Sequence, residues 1–494
     1  MKAALAIGCA LALGACGAEP PSHAGDGAAD DVALDAPDTV VSDALAPTDL
    51  PDATDASARD VSAPGDVTDV PRDVGDVPRD VTDVPRDVTD VPTPSDVPDA
   101  PPAGPALYPA DRAHSPITAG VAAGLRAIAA AGSGDARVFA KVGDSNTVNT
   151  GSFHCFGGNA VNLGAHASLR ETLDWFRAGR AGGTDPFRRT SLAATVGWSA
   201  WAAVAGSPSP LRRELDAISP RYAAVMFGTN DIQSRDLHRY GQNLLDIADQ
   251  CVARGVIPLF TSVPPRDDSA AADAWVPRYV AVMRGVAQAR QVPFVDLERS
   301  LRALPDHGVG PDGLHLTASP SGACALTDAG LRYGFNVRNL LSLQALDRVR
   351  RALAGDAPPD ASAPQLSGDG TRARPFEVPA LPFADARDTR RGGERRIDRY
   401  PGCMSAADES GPEFLYRLTV RAPTRVRAVV LSREGADIDV HLLGASPEGA
   451  ACVARHDQMV VADLTPGTWH LALDTYVAAG SARPGPFVLV VMRD

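Results

Sequence analysis

Aromatic residues are scarce in this 494-residue chain, at 5%, and it has no CxxC pair and no Cys/His cluster with the spacing that holds zinc. The second absence leaves no signal for a metal, so no metal and no cofactor is expected. A long apolar run is missing too. The only one, at the N-terminus (MKAALAIGCALALGAC), is too short to span a bilayer. The 44% of hydrophobic residues, over a length sufficient for two or three domains, suits globular cores better than a membrane bundle.

One Lys followed by that short apolar run over residues 1–16 reads as a secretory signal. Its end, Leu13-Gly14-Ala15-Cys16, resembles the lipobox of bacterial lipoproteins. The resemblance implies cleavage before Cys16, lipidation of its thiol, and stable anchoring through several acyl chains. Gly17 in place of Asp resembles the pattern that sorts lipoproteins to the outer membrane, so the expected location is the cell envelope, with the membrane as a partner. An ordinary signal peptide with a chance Cys is the plainer alternative.

Residues 17–104 carry 21 Asp plus Glu against four Arg, with abundant Pro and Ala and no aromatic residue. Such a stretch cannot bury enough apolar surface to fold. Within it DVTDVPR, DVGDVPR, DVTDVPR and DVTDVPT repeat from Asp66. A seven-residue period suggests a coiled coil, but one Pro per repeat excludes it. The expected state is an extended, partly polyproline-like tether, reaching at most about 250 Å at ~3 Å per residue. Its charge accounts for the acidity of the whole chain, and residues 105–494 come to about +2. That near-neutral remainder says little about the substrate, and nothing points to nucleic acid.

From 105 to 355 the pattern alternates buried-strand candidates with helices. Arg137–Val142, Tyr222–Phe227, Val256–Ser262 and Val292–Leu297 read as strands, and Asp236–Arg254 and Trp275–Arg290 as helices. This alternation predicts a parallel sheet with helices on both faces and a ligand site at the carboxyl ends of the strands. After a linker over 356–371, residues 372–494 carry short alternating segments broken by Gly, Pro and Asp, which read as an all-β sandwich.

The chemistry is carried by three short strings. Val142-Gly143-Asp144-Ser145 forms a polar turn after the first strand, where a nucleophilic Ser needs to be exposed. Alone, Gly-Asp-Ser recurs by chance roughly once in several thousand positions, and a Ser/Asp helix cap would explain it. Gly228-Thr229-Asn230-Asp231 follows a second strand, however, and Asp312-Gly313-Leu314-His315 lies near the end of the same domain. In order and spacing these strings resemble the blocks of the SGNH, or GDSL-type, hydrolases over roughly residues 137–350.

The resemblance implies a flavodoxin-like three-layer α/β fold and a serine esterase with Ser145 as nucleophile, His315 as base and Asp312 as its orienting acid. Its oxyanion hole would consist of the Ser145 and Gly197 amides and the Asn230 side chain. Gly197 is the best match to the family's remaining Gly, and Gly206 stays open. Block I departs from the usual GDSL at Asn146 and Thr147, which leaves the acyl or acetyl ester of lipid or carbohydrate unspecified. Acyl transfer, or a binding module that has lost catalysis, are the alternatives.

Several residues have plainer readings. Asp144 and Asp231 read as turn-stabilising acids. His307 lacks the D-x-x-H partner, and His154 reads as a surface-loop residue. Trp198 and Trp201 could wall a pocket or pack in the core.

The pieces PEFLYRLTV, ADIDVHLL, LTPGTWHLALDTY and PFVLVV resemble the pre-peptidase C-terminal type of β-sandwich, implying an accessory module without catalytic residues. Of the cysteines beyond Cys9 and Cys16, Cys403 and Cys452 share that module and are expected to pair. A Cys155–Cys324 bond would tie the nucleophile loop to the His loop. Cys251, on the apolar side of a helix, is expected to be a buried free thiol.

Overall fold

The computed structural model describes residues 105–362 and 365–494. The signal, Cys16 and the repeat tether lie outside the described residues. Among the described residues no helix is long and apolar enough to cross a membrane.

Four parallel strands, β1 (Asp135–Gly143), β2 (Pro220–Met226), β3 (Ile257–Thr261) and β4 (Phe294–Val295), are hydrogen-bonded in that order. They fall in the four segments whose apolar runs read as strands. All five residues of β3 are buried, as expected where helices cover both faces of a sheet. Right-handed crossovers that keep stepping in one direction place their helices on one side. There Ala200–Val204, Pro210–Ile218, Leu237–Val252 and Val276–Ala289 pack together, while Ala119–Ala130, Arg170–Arg177 and Gly334–Ala354 form the other layer.

A single parallel bridge joins Ala194 to Gly143 on the edge of β1 away from β2. The Gly143 amide donates to the Ala193 carbonyl at 3.1 Å, and the Thr195 amide donates to the Gly143 carbonyl at 3.2 Å. The lateral order of the sheet therefore reverses at β1. Crevices at such reversals, outside the strand ends, are where ligands bind in open α/β sheets. Ser145 lies two residues past the end of β1.

The C-terminal region is all-β: β5 (Phe376–Glu377), β6 (Phe383–Asp388), β7 (Phe414–Val420), β8 (Thr424–Ser432), β9 (Ile438–Leu443), β10 (Cys452–His456), β11 (Met459–Leu464), β12 (Gly467–Thr475), the hairpin β13 (Val477–Ala478) and β14 (Ser481–Ala482), and β15 (Pro486–Arg493). Two sheets, ordered β10-β9-β12-β7-β5 and β11-β8-β15-β6, enclose a core that includes Tyr416, Val430, Val440, Leu471 and Leu489. Successive side chains of a strand point to opposite faces. Accordingly Val429, Leu431, Val488 and Val490 turn away from this core and join that of the α/β domain.

The second sheet thus packs on the helices Leu237–Val252 and Val276–Ala289. Two helix glycines permit the approach. A Cβ on Gly241 would lie 2.6 Å from Leu431 Cδ1, and one on Gly285 would lie 2.7 Å from Val490 Cγ2. Polar ties surround the contact. Gln288 Nε2 donates to the Ala384 carbonyl at 2.6 Å, and Arg433 Nη2 lies 2.8 Å from Asp246 and 2.9 Å from Asp249.

Candidate active site

The turn after β1 admits no side chain at its first position. A Cβ on Gly143 would lie 2.3 Å from Thr147 Oγ1 and 2.6 Å from the Met226 carbonyl oxygen. Asp144 then caps the short helix Ser145–Val148, accepting a hydrogen bond from the Asn146 amide at 3.1 Å. Burial raises the Asp144 carboxyl to about 6, although the nearby Arg338 guanidinium works the other way. This is the turn-stabilising role read from the sequence.

The Ser145 hydroxyl lies 2.8 Å from His315 Nε2, and His315 Nδ1 lies 2.6 Å from Asp312 Oδ2. The other Asp312 oxygen accepts the Leu314 and His315 amides, each at 3.0 Å. Burial opposes ionisation of Asp312, but the hydrogen bonds from the His315 amide and ring and the Leu314 amide prevail and hold the carboxyl at about 2. Asp312 therefore stays a charged acceptor for the ring. The two side chains are 51% and 40% exposed, so the relay is open to solvent. Gly313 has φ +68°, and a Cβ there would lie 2.2 Å from the Asp268 amide nitrogen, so the loop closes only with glycine.

Asn146 and Thr147, the departures from the usual block I, are buried structural residues rather than substrate-facing ones. The Asn146 side chain accepts the Leu316 amide at 3.1 Å and donates to the Leu314 carbonyl at 3.4 Å, clamping the Ser145 turn to the His315 loop. From the helix Gly334–Ala354, Arg338 donates to the Asn146 carbonyl at 2.5 Å and to Thr147 Oγ1 at 3.0 Å. Asn339 on the same helix accepts the Phe153 amide and donates to the Gly151 and Ala323 carbonyls. The Cys155–Cys324 disulfide joins these two loops covalently. Cys403 is bonded to Cys452, and Cys251 is buried and free.

The third string forms the opposite wall. Asn230 Nδ2 donates to the Trp198 carbonyl at 2.8 Å, and both Asp231 oxygens accept the Ala200 amide. These bonds fasten the loop that contains Gly197, whose φ of +79° suits glycine. Gly206 lies beyond the next helix, Ala200–Val204. Burial raises the Asp231 carboxyl to about 7. Arg266 donates to the Thr229 carbonyl at 2.5 Å and binds Asp268 through two nitrogens, linking this wall to the Gly313 loop.

Of the other histidines, His307 pairs with Asp267 at 2.8 Å, and exposed His154 borders a cavity of about 180 Å³ beside the helix Ser145–Val148. Trp198 is half-buried against the core, whereas Trp201 is 52% exposed. Leu192, Val196, Trp201 and Val148 are four of the six exposed large apolar residues among those described, and all lie on the two segments that carry Ser145 and Gly197.

Residues 142–319, which contain every residue of this relay, match the family model described as the GDSL-like lipase/acylhydrolase family. This segment is a GDSL-like carboxylic ester hydrolase domain. No curated protein matches the chain. Among solved structures, it resembles an acetylxylan esterase from Geobacillus stearothermophilus at 15% identity, over 44% of this chain and 95% of that one, with a TM-score of 0.29. It also resembles a protein described as an acylhydrolase from Bacteroides fragilis, at 17% identity over 46% and 95%, with the same TM-score. The reading of the hydrolase domain rests on the family match and the relay geometry.

Proposed function

We propose that the protein is an exported, lipid-anchored serine esterase that splits acyl or acetyl esters of lipid or carbohydrate through an acyl-enzyme on Ser145. The observation that carries the mechanism is the continuous Ser145–His315–Asp312 hydrogen-bond chain. A neutral hydroxyl attacks an ester carbonyl slowly unless a base takes its proton as the bond forms. In this reading His315 Nε2 takes the Ser145 proton and then delivers it to the leaving alcohol, while Asp312 fixes the ring tautomer and stabilises the imidazolium. The Ser145 and Gly197 amides and the Asn230 side chain receive the oxyanion. Water, deprotonated by His315, then releases the acid.

The solvent-open relay favours water over an acyl acceptor. The exposed apolar side chains Val148, Leu192, Val196 and Trp201, on the segments that carry Ser145 and Gly197, suit the carbon skeleton of an ester, and an exposed indole can stack on a sugar ring. Anchoring through Cys16 and display on the acidic tether at the outer membrane belong to the same proposal, with residues 372–494 as a pre-peptidase-type accessory module.

The test compares the wild type with Ser145→Ala on short-chain p-nitrophenyl esters and acetylated glycans, and labels both with a fluorophosphonate. Hydrolysis and labelling by the wild type alone are expected. Equal background rates, or undiminished labelling of Ser145→Ala, would sink the assignment of Ser145.

A further inference from the structure

The outer face of the sheet β10-β9-β12-β7-β5 carries a second polar cluster, remote in sequence from the relay. Ile438, Val440 and Leu442 of β9 face the sandwich core, so Asp439 and His441, alternating with them, face outward. Asp474 of β12 is paired in register with Asp439, and Arg455 of β10 with His441. The loop preceding β7 covers this face and contributes Glu409 and Tyr400, and the Cys403–Cys452 bond clips that loop to the start of β10.

The side chains of His441 and Glu409 have no exposure, and that of Asp439 has 4%. Neither ring nitrogen of His441 meets a hydrogen-bond partner among the described residues, and Glu409 Oε2 meets none either. A buried polar group left in this state costs free energy, so each such group calls for an explanation. The Tyr400 ring stacks on His441, with centroids 3.5 Å apart and planes 10° from parallel, and Tyr400 donates its hydroxyl proton to Asp474 at 2.6 Å. The imidazole is therefore held in one plane with both its ring N–H and its lone pair unspent. Glu409 and Asp439 share one counter-ion, Arg455, which donates to Asp439 at 2.5 Å and lies 3.4 Å from Glu409 Oε1.

We propose that Glu409, Asp439 and His441 bind one divalent cation of the zinc class. One donor atom from each lies within 4.8 Å of the others, and His441 Nε2 lies 3.8 Å from Glu409 Oε1. In a tetrahedral site with bonds of about 2.0–2.1 Å, neighbouring ligand atoms are ~3.3 Å apart, so closure from separations of up to 4.8 Å draws the donor atoms together by as much as about 1.5 Å. The imidazole selects against calcium and magnesium, which prefer all-oxygen shells with more ligands. Arg455, 27% exposed at the mouth, occupies the charge position of the cation and yields it by turning toward Asp457, 3.9 Å away. The bound ion pins the Tyr400–Glu409 loop to β9 and takes no part in ester cleavage. The three donors come from two segments without a compact motif, which is why sequence spacing does not display them.

The test measures zinc retained by the full chain after dialysis, by elemental analysis, and the visible absorption of the cobalt-loaded protein. Expected are one zinc per chain, a tetrahedral cobalt spectrum, and loss of both in His441→Ala and in Glu409→Gln. Arg455→Met should bind at least tenfold tighter, since it removes the competing charge. Chelation should lower Tm while leaving the esterase rate unchanged. Zinc-free wild type, undiminished binding in a well-folded His441→Ala, or weaker binding by Arg455→Met would each overturn the proposal.

Discussion

The turn that carries Ser145 and the pocket around His441 are both polar settings within apolar surroundings, but their hydrogen-bonding capacity is used differently. At the relay, Asn146 uses both ends of its amide, Asp312 accepts three bonds, and Arg338 and Asn339 reach across from one helix to hold three loops. Asp144 Oδ2, Ser152 Oγ, Thr229 Oγ1 and Arg338 Nε lack partners there among the described residues, but no atom of Ser145, His315 or Asp312 is among them. At His441 both ring nitrogens, one oxygen of Glu409, and Arg455 Nε lack them. The difference separates two ways of building a site. Acting groups whose bonds are saturated have a geometry fixed for a transient visitor, whereas an imidazole buried with both nitrogens unpartnered marks a place for a resident.

Replacements at the relay should break this comparison most sharply. His315→Ala should lower kcat on p-nitrophenyl acetate about 10⁶-fold, and Asp312→Asn, which favours the wrong tautomer, about 10⁴-fold, with Tm little changed because both side chains are substantially exposed. Asn230→Ala should cost about 10²–10³ in kcat if its amide receives the oxyanion. A loss under tenfold would remove it from that role.

Asn339→Ala tests whether the saturated bonds position the site. It abolishes three hydrogen bonds to backbone groups, and should destabilise the chain by about 2–3 kcal/mol in urea unfolding, since it leaves those buried groups unpartnered. Gly285→Val drives a side chain into Val490 and should cost about 1–3 kcal/mol, read the same way.

The smallest effect is one of pH. Partial burial would raise the Asp494 carboxyl, but Arg427 and Arg278 overcome it and hold the group at about 2. A carboxyl depressed in the folded state contributes stability that is complete above its unfolded value near 4 and is lost as pH falls through about 2. Tm should therefore drop between pH 4 and 2, and less so in Asp494→Asn.

The parts of the fold and site that were legible in the sequence are the local ones. The strands β1 to β4 are short apolar runs, and Asp312 with His315, or Asn230 with Asp231, lie within a few residues of each other. The clamps were not legible. Arg338 and Asn339 bind groups more than 180 residues away in sequence, and on their own helix they read as ordinary polar positions. Arg266, 37 residues from Thr229, is similarly silent. Strands β6 (FADARD) and β10 (CVARH) escape because charge interrupts their alternation, and their neighbours in the sheets supply the pattern they lack. Asn146 was legible only as a departure from the usual block I, because its partners near His315 lie 168 and 170 residues away.

The sheet that turns Val429, Leu431, Val488 and Val490 toward the helices of the hydrolase domain makes the C-terminal region a poor cassette. Severed at residues 356–371, each half would be left with an uncovered oily face and a tendency to self-associate. Heating the intact protein should melt both regions in one calorimetric step. Gene fusions and recombination that treat residues 372–494 as transferable would have to carry Gly241, Gly285 and their helices along.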